Sequence, residues 1–389
     1  MEKITFVNRK GTDCYKWDHI EERYASGNPI PLTVADMDFK CPSCVQAALR
    51  SYVDMGAIGY GMPSDDYYKN FIEWERKYHN NRIQKEWIRY APGVVVAIAW
   101  LLEELFETGD SCIILSPVYG PFFHTPKRSG LNVVTSGLIN KKGEYTIDFE
   151  DFEKKIIENN VKVFLLCSPH NPVGRVWKQC ELEHLVAICK KHSVFIISDE
   201  IHHDILLFGN EHIPILSIGD YQENMAMLTS PAKSFNLAGV ENSFMILPGE
   251  KVREKIDIMQ DRIATHSGNV LGNVAAAAAY GSGREWLESL CTVIEENYQF
   301  AKETLQKAFP MAEISPLEGT FLMWVNFEKY LASDENAREL LAEKANVILG
   351  NGTDFGGEAY QSFARFNLAT SKELIEEALN RIIIYLQRK

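Results

Sequence analysis

Three short stretches of this chain hold residues able to do chemistry on a carbonyl compound. In Ser230-Pro231-Ala232-Lys233-Ser234-Phe235-Asn236-Leu237-Ala238-Gly239 a lysine stands among small and hydroxyl residues, just after the apolar run Met225 to Thr229. That run reads as a short strand, which puts Lys233 on a strand-end loop. A lysine shielded from water gives up its proton and can attack a carbonyl carbon. Taken alone, the decapeptide also reads as a surface lysine beside a turn. The second stretch, Ile196-Ile197-Ser198-Asp199-Glu200-Ile201-His202, sets Asp199 at the end of the run Val194 to Ile197. The third, Ser168-Pro169-His170-Asn171-Pro172-Val173-Gly174-Arg175, follows the run Val161 to Cys167. An asparagine, an aspartate and a lysine therefore lie at strand ends, where open α/β sheets collect their ligands.

A pyridoxal phosphate enzyme needs such a set: a lysine for the aldehyde, an acid to keep the pyridine nitrogen protonated and a donor to the ring hydroxyl. In order and spacing, the Ser-Pro-x-Asn-Pro-x-Gly, Ser-Asp-Glu-Ile-His and Ser-x-x-Lys-Ser-Phe-Asn-Leu-Ala-Gly motifs resemble the fold-type I enzymes of the class I/II aminotransferase superfamily across nearly the whole chain. Within it, Pro31-Leu32-Thr33-Val34-Ala35-Asp36-Met37-Asp38-Phe39, Gly59-Tyr60-Gly61 and Pro117-Val118-Tyr119-Gly120-Pro121-Phe122 are similar to the MalY and PatB type of carbon-sulfur β-lyase.

The resemblance implies that Lys233 holds pyridoxal 5'-phosphate, with Asp199 at the ring nitrogen, Asn171 at the ring oxygen and Tyr119 stacked on the ring. Lys233, Asp199 and Tyr119 would be the catalytic residues. Arg365 would hold the substrate carboxylate, Asp36 would line the mouth and contact substrate, and Tyr60 would cross a homodimer interface to the neighbouring active site. The implied reaction is β-elimination from cystathionine or a related cysteine S-conjugate, giving a thiol, pyruvate and ammonia. Two alternatives stay open: an aminotransferase, and a regulatory binding protein that retains the fold. The chain also departs from many relatives. His202 replaces a tyrosine that touches the ring hydroxyl, and the first arginine after Lys233 is Arg253, with Glu241 in the nearer stretch. Phosphate binding would then lean on Ser230, Tyr60 and main-chain donors.

Those donors come from Pro92-Gly93, which joins a strand over Ile88 to Ala91 to a helix from Val94 to Phe106. The first N–H groups of a helix have no internal partner, so Val94 and Val95 can face an anion. Further along, runs at Ser111 to Ser116, Asn132 to Thr135 and Phe244 to Leu247, the last read as an antiparallel edge strand, alternate with helical patterns at 149–158 and 181–191. Alternation of this kind predicts an α/β fold whose large domain has a mostly parallel sheet sandwiched by helices. The resemblance makes that sheet seven-stranded, the PLP-dependent transferase fold of type I, with a smaller αβ domain beside it. The expected division is 45–283 for the large domain, with 1–44 and 284–389 forming the small domain and its N-terminal arm. Tyr67, Phe71, Trp74 and Tyr78 recur at helical spacing and read as core. Arg365 sits mid-strand, where a guanidinium needs a partner: a substrate carboxylate or an internal salt bridge. Asp36 and Asp38 read equally as turn residues. Thr370 and Glu373 form a capping-box pattern ahead of the last helix.

Composition limits the partners. The net charge of −13 repels phosphate backbones and anionic lipid, which argues against nucleic acid and membrane surfaces. The longest apolar run, Val94 to Leu102, is too short for a membrane span, and residues 1–13 lack a signal-peptide pattern, so a cytoplasmic location is expected. Eight cysteines among 389 residues are too sparse for a disulfide scaffold, and Cys41-Pro42-Ser43-Cys44 has no second pair at zinc spacing. The adjacent His202 and His203 in Asp199 to Asp204 do not complete a metal site by spacing, and no metal is expected.

Overall fold

Apolar runs interrupted by Gly, Pro and Asn set the strands, and their pairing order sets the site. The computed structural model describes residues 2–24 and 27–389. Its strands are β1 (Ile30–Leu32), β2 (Ile88–Ala91), β3 (Ser111–Ser116), β4 (Asn132–Gly137), β5 (Ile139–Lys141), β6 (Glu144–Thr146), β7 (Val161–Cys167), β8 (Phe195–Asp199), β9 (Met225–Thr229), β10 (Ser243–Ile246), β11 (Glu313–Ile314), β12 (Leu322–Asn326), β13 (Val347–Asn351) and β14 (Phe363–Asn367). Seven form one sheet in the order β2-β10-β9-β8-β7-β3-β4. There β10 runs antiparallel to both neighbours, while the other pairings are parallel. Alternate residues of its strands enter different cores: Phe164, Leu166 and Ile196 one, Val163, Leu165 and Ile197 the other. A sheet buried on both faces needs such continuous apolar strands.

A second sheet, β1-β13-β14-β12-β11, joins the two ends of the chain, with β1 parallel to β13. The N-terminal arm thus packs on the C-terminal part, as its lack of periodic structure suggests. The helix Asp65–Tyr78 is capped by Ser64, whose hydroxyl accepts from the Tyr67 N–H, and it starts with two acids and ends with two bases. Its aromatic stripe is core, Phe71 stacking on Phe244 with ring centroids 3.9 Å apart. Among the described residues no helix is long and apolar enough to cross a membrane.

Two local expectations are corrected. β10 is antiparallel but not an edge strand, because β2 pairs along its outer side over all four residues and leaves it fully buried. The final helix, Lys372–Arg388, is capped by Ser371, which accepts from the Leu374 N–H at 3.3 Å. Thr370 lies one residue too early, and its hydroxyl is buried without a partner.

Asn236 joins the arm to the turn after Lys233. Its Oδ1 accepts from the Met37 N–H at 3.1 Å, and its Nδ2 donates to the carbonyls of Met37 and Phe39 at 3.1 and 2.9 Å. Its φ of 57° lies in the left-handed region, which asparagine tolerates better than alanine. Asn236→Ala is expected to destabilise the protein by about 2–4 kcal/mol in urea titrations, through three lost bonds and backbone strain. Asn236→Gly, which loses the same three bonds but is not strained at this φ, should recover roughly 1 kcal/mol of that.

Candidate active site

The C-terminal ends of β3, β7, β8 and β9 lie side by side and carry Tyr119, Asn171, Asp199 and Lys233. Lys233 is not on a loop as expected but in a one-turn helix, Pro231–Ser234. Ser230 caps this turn by accepting from the Ala232 N–H at 3.1 Å. The Lys233 side chain is half-buried with its amine deep in the cleft, where Nζ donates to the Ala35 carbonyl at 2.5 Å. Desolvation lowers its pKa to about 8, against the opposing pull of Asp36 and Asp199.

Asp199 ends β8, and its Oδ1 accepts from the Ile201 N–H at 3.1 Å. Burial raises its pKa to about 7, with only partial relief from that bond and from Lys233. His202 is buried with its Nδ1 unpartnered, and burial together with the charges of Lys233 and Arg365 keeps it neutral. The Tyr119 N–H donates to the Asn171 carbonyl at 3.1 Å, which ties the main chain after β3 to that after β7.

Arg365, on β14, spans the two sheets. Its Nη1 donates to Asn171 Oδ1 at 3.0 Å and its Nη2 to the Thr33 carbonyl at 3.1 Å, while Nε is buried without a partner. No carboxylate pairs with it among the described residues, so the internal salt bridge is not formed. Burial lowers its pKa to about 10. With Thr33, Tyr119, His124 and Asp354 it lines a cleft of about 280 Å³. A roomier cavity of about 780 Å³, near Tyr78 and Arg284, contains none of these site residues. Donor chemistry rather than volume marks the site.

The helix Val94–Leu105 begins at Gly93, where a Cβ would meet open space. The N–H groups of Val94 and Val95 face outward from its first turn, free for an anion. Asn171 Oδ1 is taken by Arg365, which leaves Nδ2 to donate. Lys233, Asp199, Asn171 Nδ2 and this helix start together suit a flat, anionic pyridine aldehyde, and the orphaned Arg365 Nε suits a carboxylate.

Other expected residues stand apart. Tyr60 is fully exposed and touches none of these groups within one chain. The Asp36 carboxylate is paired with Arg9 at 2.5 Å and Lys16 at 3.1 Å, its buried Oδ1 has no hydrogen-bond partner, and its charge opposes the fall in the Lys233 pKa. Ser230 donates its only hydroxyl proton to the Asn242 carbonyl at 2.6 Å, which ties it to the turn. Sequence reasoning missed the carbonyls of Thr33 and Ala35, whose placement depends on the arm. It also missed a buried group of Glu75, His79 and His203, whose donor atoms lie within 4.8 Å of one another. Glu75 and His79 are far from His203 in sequence, but their i, i+4 spacing at the end of a helix was a readable signal.

The family described as aminotransferase class I and II matches residues 28–382. The chain is 34% identical over 375 residues to cystathionine beta-lyase PatB of Bacillus subtilis, covering 96% of this chain and 97% of that one. Among solved structures, cystalysin from Treponema denticola, which contains pyridoxal 5'-phosphate, superposes with a TM-score of 0.94 at 34% identity, covering 99% of this chain and 98% of that one. The PLP-bound C-S lyase of Staphylococcus hominis does so with a TM-score of 0.92 at 30% identity, covering 98% and 97%.

The raised pKa of Asp199 has a consequence for the protein without cofactor. An acid whose folded pKa lies above its ordinary value stabilises the fold fully only below that ordinary value, and the contribution is lost as pH rises through about 7. Asp199→Asn apoprotein should therefore melt several degrees above wild-type apoprotein at pH 8, with the gap narrowing toward pH 5 in thermal scans.

Proposed function

The chain belongs to the class I and II aminotransferase family, and from this we propose that it is a pyridoxal 5'-phosphate-dependent carbon-sulfur β-lyase acting on cystathionine or related cysteine S-conjugates. The observation that carries the reading is Arg365: a buried guanidinium with an orphaned Nε and no ion-pair partner among the described residues, on which Asp354 acts only through its charge. Such a group calls for a substrate carboxylate. The likeness to PatB and to the C-S lyase structures favours elimination over amino transfer.

Bound here, pyridoxal 5'-phosphate supplies an electron sink that makes the substrate Cα proton removable. Lys233 would hold its aldehyde carbon, Asp199 its ring nitrogen and Asn171 Nδ2 its ring oxygen. Tyr119 would lie on its face, and the N–H groups of Val94 and Val95 would meet its phosphate. Arg365 binds the substrate α-carboxylate and so turns the Cα–H bond toward the Lys233 amine. With a pKa near 8, that amine is neutral in a substantial fraction of molecules at mildly alkaline pH and takes the proton as general base. His202, held neutral, adds no second positive charge beside it. Overall, cystathionine and water yield homocysteine, pyruvate and ammonia.

We further propose a homodimer in which Tyr60 reaches the neighbouring site. Met55, Ile58, Tyr60 and Met62 form an exposed apolar segment that a second copy would cover. Sedimentation should give twice the 44.2 kDa chain mass.

Incubation with cystathionine should release pyruvate, ammonia and thiol in equal amounts. Amino transfer to a 2-oxo acid without pyruvate would favour the aminotransferase reading instead. Borohydride reduction followed by peptide mapping should place the cofactor on Lys233, and Lys233→Ala should lose at least about 10²-fold in kcat. Arg365→Lys, which keeps charge but loses the planar fork, should raise KM by roughly 10- to 100-fold.

A further inference from the structure

The segment 199–204 faces two ways. Asp199 and His202 lie within electrostatic reach of Lys233, whereas Glu200, His203 and Asp204 point into a separate, fully buried polar group. In that group His203 Nδ1 lies 2.7 Å from the Glu200 carbonyl, an obligate acceptor, so this nitrogen carries a proton. Nε2 lies 2.9 Å from Glu75 Oε1 and 3.7 Å from Asp204 Oδ1. With two carboxylates at that end, the second proton also stays on the ring, making His203 an imidazolium. Burial alone would lower its pKa, but Asp204 and Glu75 raise it to about 10. The pKa values of Glu75 and Asp204 move down in concert. His79 and His212 also face this group, donating through Nε2 to Asp204 Oδ1 at 2.7 Å and to Glu200 Oε2 at 2.6 Å.

This polar group grips the lysine turn at both ends. Thr229 Oγ1, on the last residue of β9, lies 2.9 Å from His203 Nδ1, whose proton it shares with the Glu200 carbonyl, and it donates its own proton to that carbonyl at 3.4 Å. Ser234 Oγ, on the residue after the lysine, donates to Asp204 Oδ2 at 2.6 Å. Asp204 is itself held from the far side by Trp74 Nε1 at 2.8 Å. We propose that His203 and Asp204 are positioning residues for Lys233, a buried imidazolium–carboxylate pair that fixes both ends of the lysine turn and keeps the amine in its poorly hydrated place. Its importance for turnover rests on the function proposed above; the positioning itself does not. Asp204 is not among the charges that act appreciably on Lys233, which are Asp36, Arg365 and Asp199, so any effect passes through position and hydration.

The test uses two nearly isosteric variants, Ser234→Ala and Thr229→Val, each removing one grip. In the apoprotein, pulse acetylation with acetic anhydride across pH, read by peptide mass spectrometry, titrates the Lys233 amine directly. Wild type should show a midpoint near 8. In both variants the midpoint should rise by at least about 0.5 pH unit toward the ordinary lysine value, because a loosened turn admits water. In holoenzyme, kcat should fall about tenfold with KM within about threefold. Unchanged midpoints in both variants, even with a lower melting temperature, would show a purely structural role and overturn the proposal. So would one equivalent of bound zinc in wild type that is lost in His203→Gln, since a metal-bound imidazole cannot be an imidazolium. A midpoint shift in a chain that fails to take up pyridoxal 5'-phosphate would sink the proposed reaction and leave the positioning role standing.

Discussion

The active-site architecture depends on keeping one ammonium group poorly hydrated. Lys233 gives up most of its water for a single carbonyl, that of Ala35, and burial shifts its proton equilibrium toward the neutral amine. Placing it requires a short strand ending in a one-turn helix, a cap from Ser230 and a cover formed by the N-terminal arm. Each is a local answer to one demand, since a lysine left in water would hold its proton.

The same low-dielectric cleft explains the other shifted groups. Among the described residues Asp199 has no ion-pair partner and is pushed toward its neutral form, whereas Arg365 keeps its charge but at a lowered pKa. Both are stable in place because bonds to Ile201, Asn171 and Thr33 hold their geometry. A carboxyl group and a guanidinium, both poorly hydrated, suit a ligand that brings a basic ring nitrogen to one and a carboxylate to the other.

Much of this was legible in the chain. The runs before Asn171, Asp199 and Lys233 became β7, β8 and β9, adjacent in the sheet, because continuous apolar strands flanked by helices have few other ways to pack. The hairpin β5–β6 escaped notice because each strand has only three residues and Tyr145 is its one buried side chain, too little to show a period. The position of β10 was misread because periodicity does not reveal which strand lies outermost. The pairings of Asp36 with Arg9 and Lys16, and of Ser230 with Asn242, could not be read ahead. Such pairings join residues distant in sequence and leave no local trace. The group around His203 left one trace, the i, i+4 spacing of Glu75 and His79, but their meeting with His203, more than a hundred positions away, left none.

The arm strand β1 has its partner at the other end of the chain, pairing through Leu32 with Leu349, while Asn367 holds the carbonyls of Val34 and Asp36. During synthesis on the ribosome, the arm therefore waits for nearly the whole polypeptide before it can settle. The strands that carry Asn171, Asp199 and Lys233 emerge long before their roof does. A nascent chain would thus expose its reactive amine to solvent until the last strand is released, and the dry cleft is among the final parts of the molecule to close.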